Sequence, residues 1–458
     1  LFNAVSMRTT TALREQARQI LEANWTGRFT KPAPRLYPHQ WSWDAAFIAL
    51  GWVHEDQERA QQELRHLFRA QWMNGLVPHI VFDRRARGYF PGPGVWETHR
   101  SPDAPARIAT SGIVQPPVHA TAAWALYRQT RDRRATRAFL EELFPKLMAW
   151  HDYLFRERDY YGEGLVYIRH PWESGMDNAP LWDGIAQRMH LNPGDRPRYR
   201  RVDTTLVAEA DRPTGAEYDR YLYLVRLFAE ADYDEARIRE SCPFLVEDVL
   251  FNTLICQAEQ DLAEIAAELG DDPEPFRQRA RRVAEAVNRK LWDDRRALYF
   301  DYDLVLDRPI WVRMAACFTP LFAGIPDGLQ AARLVSHLEA SGFFNWDGSC
   351  YSVPSYDPNG LGFSPVQYWR GPVWININWL LIEGLARYGY TEHAAHLGRT
   401  VRLLVERNGF YEYYHPYTGE GHGSEQFSWT AALVLDLLAR RPEWMQWGVR
   451  STRRRAVA

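Results

Sequence analysis

The stretch Phe244–Leu269, FLVEDVLFNTLICQAEQDLAEIAAEL, decides the architecture. Val249, Leu250, Thr253, Leu254, Cys256, Ala258, Leu262, Ile265 and Leu269 recur at helical spacing, and Gly270 follows as a stop. The first half is apolar nearly all round. A helix on a protein surface needs one apolar stripe, so this pattern predicts an inner helix over 244–269, covered on both sides.

Working upstream, periodicity predicts helices over Thr11–Trp25, Ala45–Trp52, Gln57–Met73, Val118–Thr130, Ala135–Arg156 and Tyr218–Glu230. In the third, Ala60, Leu64, Leu67, Phe68 and Trp72 share one face, and Gly75 is placed as a left-handed cap. Downstream come Pro273–Leu291, Gln330–Ser341, Val373–Tyr388, Thr391–Glu406 and Phe427–Leu438, with Gly389 ending one helix and Thr391 placed to N-cap the next. Short β-ribbons are expected near Leu165–Arg169 and Leu298–Tyr302. There is no βαβ alternation. Helices recurring about every 40 residues, with alternately short and long connections, predict an all-α ring of paired inner and outer helices. An irregular helical array is the alternative. Residues 74–116 and 157–215 are long, aperiodic and aromatic, and connections of that length in a compact domain usually carry function.

Composition narrows the class. Hydrophobic residues make up 46% and charged residues 25% of 458, enough for a large buried core. The net charge of −3, with signs interspersed, argues against nucleic acid as the partner. No apolar run reaches the length of a membrane span, and no signal peptide is evident. Cys242, Cys256, Cys317 and Cys350 lack metal spacing and read as buried thiols of a cytoplasmic protein. No metal motif appears among the histidines, although His79 and His119 lie near candidate loops; no metal or cofactor is expected. Met7 is a candidate start, and Arg450–Arg455 reads as a solvated basic tail. The 19 Trp fall largely in polar Gly/Pro-rich stretches, where flat rings suit sugar faces; core packing must account for about half of them.

Three such stretches carry the chemistry. They are Trp41-Ser42-Trp43-Asp44-Ala45, His170-Pro171-Trp172-Glu173-Ser174-Gly175-Met176-Asp177-Asn178-Ala179-Pro180, and Gly409–Glu420 followed by Gly423–Trp429. Pro171 and Pro180 make the second a structured loop. Asp177, beside Trp172 and Met176, has few ways to be solvated, so its pKa is expected to be raised, as a general acid requires. Glu412, flanked by Tyr411, Tyr413 and Tyr414, is the best candidate base. Two carboxyls across a sugar-sized gap are the minimal kit for glycoside hydrolysis. Glu420, Glu425 and Glu173 are rivals; Glu173 also reads as an orienter of the loop.

The second stretch with Trp182-Asp183, the run Tyr368-Trp369-Arg370-Gly371-Pro372-Val373-Trp374, and Glu412-Tyr413-Tyr414…Pro416…Thr418-Gly419 resemble glycoside hydrolase family 63, in particular its bacterial mannosylglycerate and glucosylglycerate hydrolases. Trp41–Asp44, Gln115-Pro116-Pro117-Val118-His119-Ala120 and Glu217-Tyr218-Asp219-Arg220-Tyr221 resemble them too, so the similarity runs from about residue 35 to 440. Glu-Ser-Gly-x-Asp and Glu-x-Tyr also resemble trehalases.

The resemblance implies an (α/α)6 barrel capped by long loop insertions near 74–116, 157–215 and 343–370, within one catalytic domain spanning 8–445 and followed by a tail at 446–458. It implies an inverting α-glycosidase acting on mannosylglycerate and/or glucosylglycerate, with Asp177 as acid and Glu412 as base. It implies that Trp41, Asp44, Gln115, Trp172, Arg370 and Trp374 line the pocket, with Tyr37, Tyr368 and Trp369 as further aromatic candidates. Asp44 has an alternative as a helix cap, and Arg370 as a structural ion-pair partner. Arg212, with Tyr218, is placed to bind the glycerate carboxylate, the alternative being a solvated Arg. Gln426 is a candidate whose role is open. The expected partner is a hexosyl-glycerate, not nucleic acid or membrane; a homo-oligomer stays open. Alternatives are a trehalase-like or oligosaccharide α-glucosidase, a zinc-dependent transferase on an α/α ring, and a non-catalytic sugar-binding protein.

Overall fold

The structure is a computed structural model that describes residues 9–191, 199–351 and 353–446; Met7, part of the 157–215 insertion and the basic tail lie outside the described residues. Among the described residues, twelve elements alternate between an outer and an inner layer. The outer ones are α1 (Thr10–Asn24), α3 (Gln57–Phe68), α5 (Arg133–Arg158), α7 (Glu274–Ala286), α9 (Gly328–Ala340) and α11 (Thr391–Asn408). The inner ones are α2 (Ser42–Trp52), α4 (His119–Gln129), α6 (Val249–Leu269), α8 (Pro320–Ala323, extending a 3₁₀ turn over Ala315–Phe318), α10 (Ile375–Arg387) and α12 (Ser428–Arg440). Each inner element touches the next, and α12 packs against α2, so the inner ring closes. This is the (α/α)6 toroid. A further helix, Gly215–Glu230, belongs to the cap.

The inner helices are those whose sequence is apolar all round. Every residue of α2 is buried, and in α6 burial runs unbroken from Val249 to Glu259. The helix predicted from Phe244 starts five residues later. Val246–Glu247 is instead a strand, paired with Tyr167–Ile168 on one side and Tyr302–Asp303 on the other, and Asp248 caps the helix by accepting from the Phe251 amide at 2.6 Å. Backbone pairing with two partners outweighs the apolar run. Both expected ribbons are thus present. The third helix stops at Phe68, before Trp72, while Gly75 does take a positive φ of 103°. Gly389 ends α10 with φ 81°, but Thr391 is the first residue of α11 and its side chain caps nothing; Tyr390 occupies the cap position. The four cysteines are buried free thiols. Among the described residues no helix is long and apolar enough to cross a membrane.

Ring closure requires α2 and α12 to approach closely. A Cβ added at Gly51 would lie 2.3 Å from the Ala432 Cα. We therefore expect Gly51→Ala to cost about 1–3 kcal/mol through forced separation of the two helices, read as a lower melting temperature. A variant as stable as the parent would contradict this account of closure.

Candidate active site

The site lies at the ring mouth where α2 and α12 begin and where the segments leading into α4 and α10 arrive. The 170–180 loop is built from its own sequence. Pro171–Ser174 forms a 3₁₀ turn, and the His170 ring accepts from the Trp172 amide at 3.0 Å. Ser174 Oγ donates to the Pro171 carbonyl at 2.6 Å and accepts from the Met176 amide at 2.9 Å. Gly175 has φ 74° and lies against the Trp43 ring, 2.4 Å from where a Cβ would be, so only glycine fits. Beneath the loop, fully buried Glu173 accepts from the Val114 amide (3.2 Å), the Arg169 amide (2.7 Å) and both terminal nitrogens of Arg158 (3.1 and 3.2 Å). Its oxygens are fully engaged, which makes it the orienter of the loop rather than an acid. The bond to Val114 also ties the loop to the segment carrying Gln115. Tyr221 donates to the Asp177 carbonyl at 3.0 Å, leaving the Asp177 side chain to face the cavity.

Glu412 comes from the strand Tyr411–Tyr414, paired antiparallel with Gly421–Glu425. It is 1% exposed. Its Oε1 accepts from the hydroxyls of Tyr37 (2.7 Å) and Tyr368 (3.1 Å), and its Oε2 from the Ser424 amide (3.1 Å). Gly423, with φ 72°, passes so close that a Cβ would sit 2.4 Å from Oε2. The rivals Glu420 and Glu425 are exposed, outside the cavity.

Asp177 and Glu412 line the same cavity, with Asp44. Burial pushes the Asp177 carboxyl well above the usual carboxylate range; the Arg212 charge opposes this and Glu412 adds to it. Burial raises Glu412 too, and the Arg212 charge and its hydrogen-bond donors limit the rise without cancelling it. Asp44 is pushed well up by burial, then by Glu412 and Asp177. It lies in the first turn of α2 and lines the cavity, while Trp41 holds the cap position, so the capping alternative fails.

Arg212 is the cation of this cluster. Nη1 donates to the Tyr37 hydroxyl at 3.2 Å, Nε to Asp203 at 3.2 Å, and the guanidinium lies 4.3 Å from the Tyr368 ring centre. It is 9% exposed, which excludes the solvated alternative. Tyr37, Trp41, Gln115, Trp172, Tyr218 and Tyr368 line the cavity as expected. The Gln115 side-chain oxygen accepts from the Trp43 amide at 3.2 Å, and the Tyr218 hydroxyl donates to the Phe90 carbonyl at 3.2 Å.

Four expected residues do not line it. Arg370 pairs with Asp183 (2.9 Å from Nη1) and Glu217 (3.2 Å), the structural alternative. Trp374 is buried between Trp369, stacked at 3.7 Å, and Tyr413 at 4.7 Å, so both tryptophans back the wall. Gln426 is exposed, with φ 52° and its carbonyl accepting from Asn24 at 2.9 Å. His79 lines the cavity, whereas His119 is buried below it against Ser42. Trp43, Tyr89, Phe427 and Trp429 also line it and were not singled out. Trp43, Phe427 and Trp429 lie inside the quoted stretches; Tyr89 has no periodic signal at all. Among the described residues no group of three His, Cys, Asp or Glu is placed to hold a metal.

Residues 37–430 match the family described as Mannosylglycerate hydrolase MGH1-like glycoside hydrolase domain. The chain is 55% identical over 423 residues to a mannosylglycerate hydrolase of Rubrobacter radiotolerans, covering 92% of this chain and 96% of that one. It superposes with a TM-score of 0.87, at 46% identity, on the crystal structure of the GH63 mannosylglycerate hydrolase from Thermus thermophilus in complex with Tris and D-glycerate, covering 93% and 99% of the two chains. The chain belongs to glycoside hydrolase family 63. Within that family it is also 40% identical over 451 residues to a glucosylglycerate hydrolase of Mycolicibacterium hassiacum, covering 94% of this chain and 98% of that one. This family 63 enzyme is therefore a glycosidase.

The raised Asp177 carboxyl has a consequence for stability. A group with a higher pKa in the folded state makes that state bind more protons, so stability falls as pH rises from the ordinary carboxylate value through the raised one. We expect Asp177→Asn to melt at a higher temperature than the parent at about pH 7, with the gap closing toward about pH 4. An equal or lower melting temperature at neutral pH would contradict the burial of this carboxyl.

Proposed function

We propose that the enzyme hydrolyses an α-hexosyl-glycerate, mannosylglycerate and/or glucosylglycerate, to hexose and glycerate with inversion at the anomeric carbon. The observation that carries this is one cavity with three groups matched to the task. Burial pushes Asp177 toward its protonated form, Glu412 accepts from three donors, and Arg212 offers its guanidinium to an anion. Asp177 gives its proton to the glycosidic oxygen as that bond breaks. A water on the opposite face attacks the anomeric carbon and passes its proton to Glu412. Room for that water implies carboxyls roughly 6.5–9.5 Å apart. Asp44 accepts from sugar hydroxyls, and Trp41 and Trp172 supply apolar walls.

Arg212 separates this from the trehalase-like alternative, because a neutral disaccharide offers the cavity-lining guanidinium no carboxylate beyond its pairing with Asp203. A likeness to yeast neutral trehalase at 16% identity, with a TM-score of 0.58, concerns the fold alone. The relatives carry both substrate names, mannosylglycerate and glucosylglycerate hydrolase, which keeps both sugars in the proposal.

The deciding experiment is proton NMR of each hexosyl-glycerate with the enzyme, following the anomeric signal in the first minutes. Prompt β-sugar from an α-linked substrate is expected; α-sugar as first product would overturn inversion, and no release from either would overturn the substrate. Asp177→Asn and Glu412→Gln should each lower kcat by about 10²–10⁴-fold. Arg212→Ala should lose activity on the glycerate glycosides; full retention would remove Arg212 from the carboxylate role.

A further inference from the structure

We propose that Tyr37 is a positioning residue that couples the aglycone carboxylate to the base, so that a charged aglycone is selected in bond cleavage as well as in binding. This rests on the reading that Arg212 holds the carboxylate.

The geometry is a hydrogen-bonded chain. Arg212 Nη1 donates to the Tyr37 hydroxyl at 3.2 Å, and that hydroxyl donates its one proton to Glu412 Oε1 at 2.7 Å. Tyr368 closes a second path: its ring lies under the guanidinium and its hydroxyl reaches the same Oε1 at 3.1 Å. The Tyr37 ring is held edge-on between Trp41 (5.2 Å) and Phe427 (5.9 Å), so the hydroxyl has little freedom to leave the chain.

A cation hydrogen-bonded to a hydroxyl makes that hydroxyl a stronger donor, and a stronger donor makes Glu412 a weaker base. Asp203 already pairs with Arg212 Nε at 3.2 Å, and an aglycone carboxylate on the same guanidinium adds a second negative charge that weakens its pull on the Tyr37 hydroxyl. Tyr37 then donates less strongly, and Glu412 becomes more basic only once the correct aglycone is bound. The groups facing Glu412 are Tyr37, Tyr368, the Ser424 amide, Arg212, Asp177 and Asp44. Of these, Arg212, itself paired with Asp203, is the one whose charge an anionic aglycone offsets. The same charge opposes burial at Asp177, so offsetting it also helps the acid keep its proton. No bond is made or broken beyond the hydrolysis already described.

The test is single-turnover kinetics on an α-hexosyl glycerate and the matching α-hexosyl glycerol, in which the carboxylate is replaced by CH₂OH, with parent enzyme and Tyr37→Phe. The parent should bind the neutral analogue more weakly and also cleave it about three- to tenfold more slowly, as a change of about one pKa unit or more in the base predicts. In Tyr37→Phe the difference in cleavage rate should shrink, the direct Arg212 charge and Tyr368 keeping a part of it, while the difference in binding persists. A variant that keeps the parent's rate ratio overturns the coupling alone. A parent that binds the two substrates equally overturns the Arg212 reading itself. The parent's pH profiles give a check that needs no variant: the acid limb of single-turnover cleavage should lie at higher pH with the anionic substrate, and coincident limbs overturn the proposal.

Discussion

Three carboxyl groups, Asp44, Asp177 and Glu412, share one cavity with one guanidinium, and their shared desolvation there is the constraint on which the site depends. Charged groups are costly to remove from water unless paired. Here the pairing is uneven. Glu412 receives three donors, whereas Asp177 and Asp44 are pushed toward their neutral forms by burial. Burial raises Glu412 as well, but its three donors and the Arg212 charge limit the rise. Arg212 touches this balance by its charge, and it hydrogen-bonds the Tyr37 hydroxyl that reaches Glu412.

The toroid makes that burial possible by distributing it. Asp44 belongs to the first turn of α2, Asp177 to a loop in the connection between α5 and α6, Glu412 to a hairpin before α12, and Arg212 to a cap segment. No local segment carries more than one of the four. Each is held by partners remote in sequence, such as Glu173, which joins the 170–180 loop to Arg158 of α5 and to the Val114 amide. A buried carboxylate with every acceptor position occupied fixes geometry, and that is what a site needs from groups it does not use chemically.

Much of the scaffold was legible because helical periodicity is local. Apolar residues at 3.6 spacing announce a helix whatever it packs on, and near all-round apolarity in the first half of α6 announces an inner position. Glycines told of turns where φ is positive, as at Gly75, Gly270 and Gly389. Asp177 and Glu412 were legible as chemistry because each sits in a Gly-, Pro- or aromatic-rich stretch that periodicity cannot explain.

What remained was decided by contacts between distant segments. The same run Tyr368–Trp374 contributes a cavity wall at Tyr368, an ion pair at Arg370 and packing at Trp374, and nothing in a linear motif says which side chain turns inward. Phe244–Asp248 reads as helix until two other strands claim its backbone. Tyr37, expected among aromatic sugar contacts, is a hydrogen-bond donor to a residue of the C-terminal hairpin. Residue types and local spacing pointed to the all-helical class, to one inner helix and to two candidate carboxyls among rivals. Side-chain direction, hydrogen-bond partners and desolvation are properties of the assembled surroundings, so only the folded ring could assign them.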